Sequence, residues 1–317
     1  MEHNDLMSDN NENVSVQSEA KRSSKREPGR YLRAEDRLKL QRAAKTRRKV
    51  ILTVIMLIFI GTAGFSAIQI FKDVAEYQQG SNTYEDLGAY VQVPMPPEKP
   101  IQVTVPEADE SEIITSDDEI ETTLPEPTEP PIDWPVVDFE GLLSINEDCV
   151  GWIMIDDTKI NYPIVQGNDN NYYLRRLFDG TWNSAGCIFL DYRVAEDFSY
   201  RNNPIYGHKM NNGSMFADLS NYKKQEYYDL HPIGYLLTPE QNYQIEFFAG
   251  FVIRNDGIAW DYEFESDDDF EEWLINVQEM SCFESEIQPE VTDTIITLST
   301  CSYEFSYARF VLLGRLK

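Results

Sequence analysis

One apolar run dominates the pattern of the chain: residues 50–71 (VILTVIMLIFIGTAGFSAIQIF) carry no formal charge and directly follow Arg47, Arg48 and Lys49. Its length matches the roughly 20 residues that cross a bilayer as a helix. A membrane span is therefore predicted rather than a buried core helix. Far downstream the pattern changes. From about residue 132 onward, β-forming runs recur at 150–155, 161–166, 186–191, 204–206, 233–237, 243–253, 293–298 and 310–313. Turn formers such as Asp156-Asp157, Asn168-Asp169-Asn170 and Asn211-Asn212-Gly213 separate them. Eight candidate strands in about 185 residues predict either a closed β-barrel or a sandwich. Two segments show helical spacing instead. Residues 137–146 precede the first strand, and residues 266–280 fall between the sixth and seventh. In the second, Ser266 is a suitable N-cap, and Asp267, Asp268 and Asp269 suit a helix start. Phe270, Trp273, Leu274 and Val277 then form one apolar face, which reads as core packing.

Charge divides the chain where hydropathy does. The formal net charge is −28, yet residues 1–49 hold 13 Lys/Arg against 8 Asp/Glu, a net of +5. Residues 72–317 hold 14 against 47, a net of −33. The basic flank predicts an uncleaved single-pass anchor with residues 1–49 in the cytoplasm and everything after about residue 72 outside. A cleaved signal peptide fits less well, because almost fifty polar residues precede the apolar run. Composition predicts that the basic tail is largely disordered. An acidic exterior argues against a nucleic-acid partner. Residues 72–131 read as an acidic, Pro-rich stalk outside the membrane, with a short helix at 73–87, and residues 132–317 as the folded domain.

The chemistry concentrates near the C-terminus. The run 293–298 delivers Cys301 to the end of a strand, and Arg309 opens the next one. A thiol beside a guanidinium is a plausible nucleophile, because positive charge favours the thiolate. Proton transfer needs a partner, and the chain has three histidines: His3, His208 and His231. His3 lies in the basic tail and His231 in a polar stretch before Pro232. His208, after a short apolar strand and Gly207, is the one placed to meet Cys301. Ser299 and Thr300 are candidates to orient the nucleophile. Four cysteines outside the membrane could form two disulfides, but Cys149, Cys187 and Cys282 read better as free thiols, the first two in or beside apolar strands. No C-x-x-C or H-x-x-x-H spacing suggests a metal, and no cofactor is expected.

These residues resemble the sortases. Thr297-Leu298-Ser299-Thr300-Cys301 matches their TLxTC signature, with Arg309 and His208 in the corresponding order. The stretches 206–216 (YGHKMNNGSMF), 150–153 (VGWI) and 162–167 (YPIVQG) are similar to class B members in particular. The resemblance covers residues 133–317. It implies a mainly β fold, an eight-stranded closed barrel with an N-terminal helix and a helix inserted between the sixth and seventh strands. It also implies a membrane-anchored cysteine transpeptidase of Gram-positive bacteria. Cys301, His208 and Arg309 would be its catalytic residues, with Ser299, Thr300, Tyr206 and Ser214 supporting them or lining the substrate groove. The partners would be surface proteins with a C-terminal sorting motif of the Asn-Pro type. A peptidoglycan precursor or a pilin would supply the acceptor amine. Two rivals stand beside this reading: a cell-wall cysteine peptidase or amidase that uses water, and a catalytically silent surface-binding module.

Overall fold

The computed structural model describes residues 33–93 and 133–317. The expected disorder of the first 30 residues and the body of the expected stalk lie outside the described residues. The chain divides into two compact units, Met1–Ile68 and Gln69–Lys317. Helix α1 begins at Ala34 in the first and runs to Leu87 in the second. Its apolar stretch has a mean hydropathy of 2.4 and is wholly exposed, so it is a candidate membrane anchor. Thr53 and Thr62 return their hydroxyls to the carbonyls of Lys49 and Phe59, each at 3.0 Å. Their polar groups are thereby satisfied within the helix, as a hydrocarbon surrounding requires.

In the second unit, the last turns of α1 pack on the folded domain. Tyr77 and Tyr84 lie against its core, and Leu87 is buried beside Trp152 and Phe178. Strand β1 (Val91–Gln92) pairs antiparallel with β2 (Val136–Val137), matching Val91 to Val137. Residues 73–87, read as a short helix at the start of the expected stalk, are the last turns of α1. Aromatic and apolar side chains at 77, 84 and 87 dock on the domain, and the two ends of the proline-rich stretch sit side by side.

Helix α2 (Phe139–Ile145), capped by the Asp138 carboxylate on Gly141 N at 2.9 Å, leads into the barrel. The strands follow as β3 (Cys149–Met154), β4 (Asn161–Val165), β5 (Ile188–Leu190), β6 (Asn202–Tyr206), β7 (Ile233–Leu237), β8 (Asn242–Arg254), β9 (Ile295–Cys301) and β10 (Ala308–Leu316). They close in the order β10-β8-β7-β3-β4-β5-β6-β9, with β9 returning to β10. Of the two folds left open by strand number, the barrel is the one adopted, and its closure pairs every barrel strand on both sides. The pairs β4–β5 and β6–β9 are parallel and the others antiparallel. A 3-10 turn at Tyr172–Arg175, a 3-10 helix at Phe216–Lys223 and the short helix α3 (Gln225–Leu230) occupy the connections.

Strand alternation sorts the core. On β10, Phe310 and Leu312 join the interior cluster with Ile153, Ile164, Ile205 and Leu298, whereas Val311 and Leu313 face outward. Helix α4 (Asp267–Glu279) covers that outer face with Phe270, Trp273, Leu274 and Val277. It lies between the sixth and seventh barrel strands, and Ser266 Oγ accepts from Asp269 N at 3.1 Å as its cap. Leu298→Ala should open a void in the closed interior and destabilise the protein by about 2–5 kcal/mol. Glu271→Ala on the exposed side of α4 should stay within about 0.5 kcal/mol. Denaturant midpoints at constant slope would check both.

Candidate active site

Strand direction assembles the site. Strand β9 ends at Cys301, and its parallel neighbour β6 ends at the same rim, with Tyr206 opposite Ser299 and Gly207 N donating to Ser299 O at 3.0 Å. His208 is the next residue. On the other side β10 runs antiparallel and starts at that rim, so Arg309 is the direct cross-strand partner of Cys301. Such partners on one face hold their Cβ atoms about 4.5–5.5 Å apart. Alternation also separates Cys301 from its neighbour. Cys301 is partly exposed, while Thr300 points inward, buried, and its hydroxyl has no hydrogen-bond partner among the described residues.

Cys301, His208 and Arg309 line one cavity of about 660 Å³, together with Tyr206, Ser299 and Thr300. His208 is held by a contact that the sequence does not announce. Its Nε2 lies 2.7 Å from the carbonyl oxygen of Leu174, in the Tyr172–Arg175 turn. A carbonyl only accepts, so Nε2 carries the proton, and Nδ1 is the ring nitrogen open to a second partner. Gly207 permits the tight approach at this corner, since a Cβ there would lie 2.5 Å from Ile188 and 2.7 Å from Phe216. Arg309 donates Nη1 to Ala308 O at 3.0 Å.

One wall of the cavity is a buried polar network. The fully buried carboxylate of Asp191 accepts from Arg193 Nη2 at 2.7 Å and from the Tyr206 hydroxyl at 2.8 Å. Burial pushes this carboxyl up, but the bonds from Arg193 and Tyr206 outweigh it and hold it below the ordinary carboxylate range. Burial first, and then the Asp191 charge, push the Tyr206 phenol well up, so it remains a donor. Arg193 also stacks over the Tyr262 ring at 4.5 Å. Beyond Cys301 the loop is pinned by an ion pair between Lys223 and Glu304, and Lys223 Nζ donates to Ser302 Oγ at 3.2 Å. The bonds from Lys223 and Ser302 hold the Glu304 carboxyl at about 2.

The remaining candidates separate. Ser214 does not reach this cavity. It lines a different one, with Tyr84 and Lys159, and its hydroxyl and backbone N–H both donate to Asn212 Oδ1 in a turn. His231 is elsewhere, with Nδ1 at 3.1 Å from Asp156 O. All four cysteines are free: Cys149 and Cys187 are buried and pushed up to about 12 by burial, whereas Cys282 is exposed. Sequence reasoning missed Leu174, Arg193 and Trp260 as lining residues. Leu174 acts through its backbone, which no side-chain pattern reveals; the Asp191/Arg193 spacing was the only signal for the network.

No protein-family model matches the chain. Sortase B of Listeria monocytogenes is 40% identical over 181 residues, which cover 56% of this chain and 74% of that protein. Sortase B of Staphylococcus aureus is 33% identical over 180 residues, with the same shares. Among solved structures, the Staphylococcus aureus sortase B–substrate complex superposes with a TM-score of 0.54 at 32% identity, covering 56% of this chain and 84% of that one. A sortase B complexed with triglycine gives 0.54 at 32% identity, covering 56% and 85%. The relationship extends from sequence to barrel, and the chain belongs to the sortase B family of cysteine transpeptidases.

Proposed function

We propose that Cys301 Sγ attacks the carbonyl of a threonine in the C-terminal sorting signal of a surface protein. The bond to the following residue breaks, its amine departs, and a thioester to Cys301 remains. His208 protonates the departing amine and then accepts a proton from the incoming one. Arg309 donates hydrogen bonds to the substrate or to the developing oxyanion. An amine of a peptidoglycan precursor or of a pilin resolves the thioester. Water is the competing acceptor and yields the free acid. The observation that carries this reading is the convergence of Cys301, His208 and Arg309 on one rim of one cavity. The substrate and triglycine complexes of related sortases B support a peptide donor and an amine acceptor for this chain as well.

The sorting signal on this reading is of the Asn-Pro type, and Tyr206, Ser299 and Thr300 form part of its groove. Ser214 belongs instead to the support of the loop that follows His208. In the cell, residues 1–49 are cytoplasmic, 50–71 span the membrane, 72–131 follow outside, and 132–317 form the catalytic domain. The apolar run and its basic flank support that orientation.

The full chain, given an Asn-Pro sorting peptide and triglycine, should form the amide product faster than the free acid. Faster release of acid would favour the peptidase alternative. Cys301→Ala should abolish turnover, and His208→Ala should lower it by about 10²–10⁴-fold. Arg309→Lys should cost about 10²–10³-fold in kcat, as the loss of a preorganised oxyanion donor does. Retained activity in Cys301→Ala would remove the mechanism.

A second prediction concerns pH. Asp191 is held low in the folded protein, so its contribution is present above the ordinary carboxylate pKa of about 3.9 and lost as pH falls through the folded value. Arg193→Met should cost about 1–3 kcal/mol at pH 7, less than a fully buried pair because Arg193 is 36% exposed. The gap to wild type should close below about pH 4, as the carboxyl protonates in both. Denaturation curves across pH would show whether it does.

A further inference from the structure

The last turns of α1 contact residues 183–187, which lie against the turn that carries the His208 acceptor. Glu76 O accepts from Asn183 Nδ2 at 2.9 Å, and its carboxylate accepts from Ser184 N. Two turns on, the Tyr84 hydroxyl donates to Gly186 O. Residues 183–187 are in turn laced to the 3-10 turn beneath His208. Asn183 N donates to Arg175 O and Cys187 N to Tyr173 O, each at 3.0 Å. These two bonds bracket Leu174, whose carbonyl receives Nε2 of His208 at 2.7 Å. Gly186 presses directly on that carbonyl. Its φ is +59°, and a Cβ there would lie 2.7 Å from Leu174 O, so only glycine lets the loop sit so close.

A second path leads from the same side chain. The Tyr84 ring meets Tyr162 edge-on at 5.3 Å, and the Tyr162 hydroxyl accepts from Met215 N at 2.9 Å. Met215 bridges Lys209, and Phe216 N donates to His208 O at 2.9 Å. The hydroxyl of Tyr84 therefore supports the acceptor of the imidazole, and its ring supports the loop that carries the histidine. Burial of its phenolic end pushes Tyr84 far up, so the hydroxyl stays a donor.

We infer that Tyr84 on α1 is a positioning residue for His208: it braces the Leu174 carbonyl that fixes the imidazole in the Nε2–H form. This rests on the role proposed for His208 and adds a dependence on the helix that leads out of the apolar run. A displaced Leu174 carbonyl would free the ring to rotate and to exchange tautomers. Nδ1 would then be correctly presented to an amine only part of the time. The substrate groove itself contains no atom of Tyr84, so binding should be spared.

The test uses the full chain in detergent micelles, with a quenched Asn-Pro sorting peptide and triglycine. Tyr84→Phe keeps the ring against Tyr162 and removes only the hydroxyl. Loss of one such hydrogen bond should lower kcat about fivefold with KM unchanged. In 15N-histidine spectra, the His208 ring shifts should move from those of the Nε2–H form toward a tautomer mixture. With three histidines in the chain, His208 is assigned by the signals that His208→Gln removes. Wild-type kcat and shifts in Tyr84→Phe would overturn the inference. So would a lower kcat with unmoved His208 shifts, because that result means damage by another route. Glu76→Ala removes the acceptor of Ser184 N and should give a smaller change of the same sign; it decides the matter if Tyr84→Phe fails to fold. An active His208→Gln would instead sink the role of His208 itself. A dead His208→Gln beside a normal Tyr84→Phe would sink only the positioning role.

Discussion

The site exists because the two neighbours of β9 run in opposite directions. A parallel β6 finishes where β9 finishes, and an antiparallel β10 begins there. One rim thus receives the end of β9, the start of β10 and the second residue beyond β6. Cys301, Arg309 and His208 occupy those places. Ladder hydrogen bonds fix the register, and a slip of one residue on β9 would turn Cys301 inward and Thr300 outward. The closed barrel makes such a slip costly, because Leu298 and Ile296 would leave the interior at the same time.

Around this rim the chain commits buried polar groups where an apolar wall would have been simpler. Asp191 keeps its charge in the interior only because Arg193 and Tyr206 both donate to it. That network gives one side of the cavity a fixed shape, since a half-satisfied buried carboxylate is costly. The opposite arrangement holds the imidazole: one backbone carbonyl, in a short 3-10 turn, selects its tautomer. The turn takes its own support from residues 183–187, and these meet the end of α1. Helix, loop, turn and histidine form one connected set of hydrogen bonds.

Much of this was legible beforehand. The period-two runs marked the strands nearly to the residue: 233–237 is β7 itself, and 243–253 lies within β8 by one residue at each end. The apolar face of α4 and its Ser266 cap read correctly because both are local patterns. The run at 310–313 stopped short of the end of β10 at Leu316, since Gly314 and Arg315 break the apolar pattern and their pairing is decided by neighbouring strands. The connections at 172–175, 216–223 and 225–230 carried no usable period. The helix at 73–87 was legible, but its docking was not: Tyr77, Tyr84 and Leu87 meet the barrel only in the folded chain.

Sequence patterning was sufficient for the apolar helix, the strand pattern and the identity of a thiol, a guanidinium and an imidazole suited to acyl transfer. These follow from composition and short-range spacing, which side-chain chemistry dictates directly. Only the folded chain reveals that β6 lies parallel beside β9, that Ser214 turns away, and that Leu174 offers its carbonyl to His208. The strand pairing joins residues 93 positions apart and the His208 contact residues 34 apart, and the second uses a backbone atom common to every residue. No local pattern encodes such contacts; they exist only once the barrel has closed.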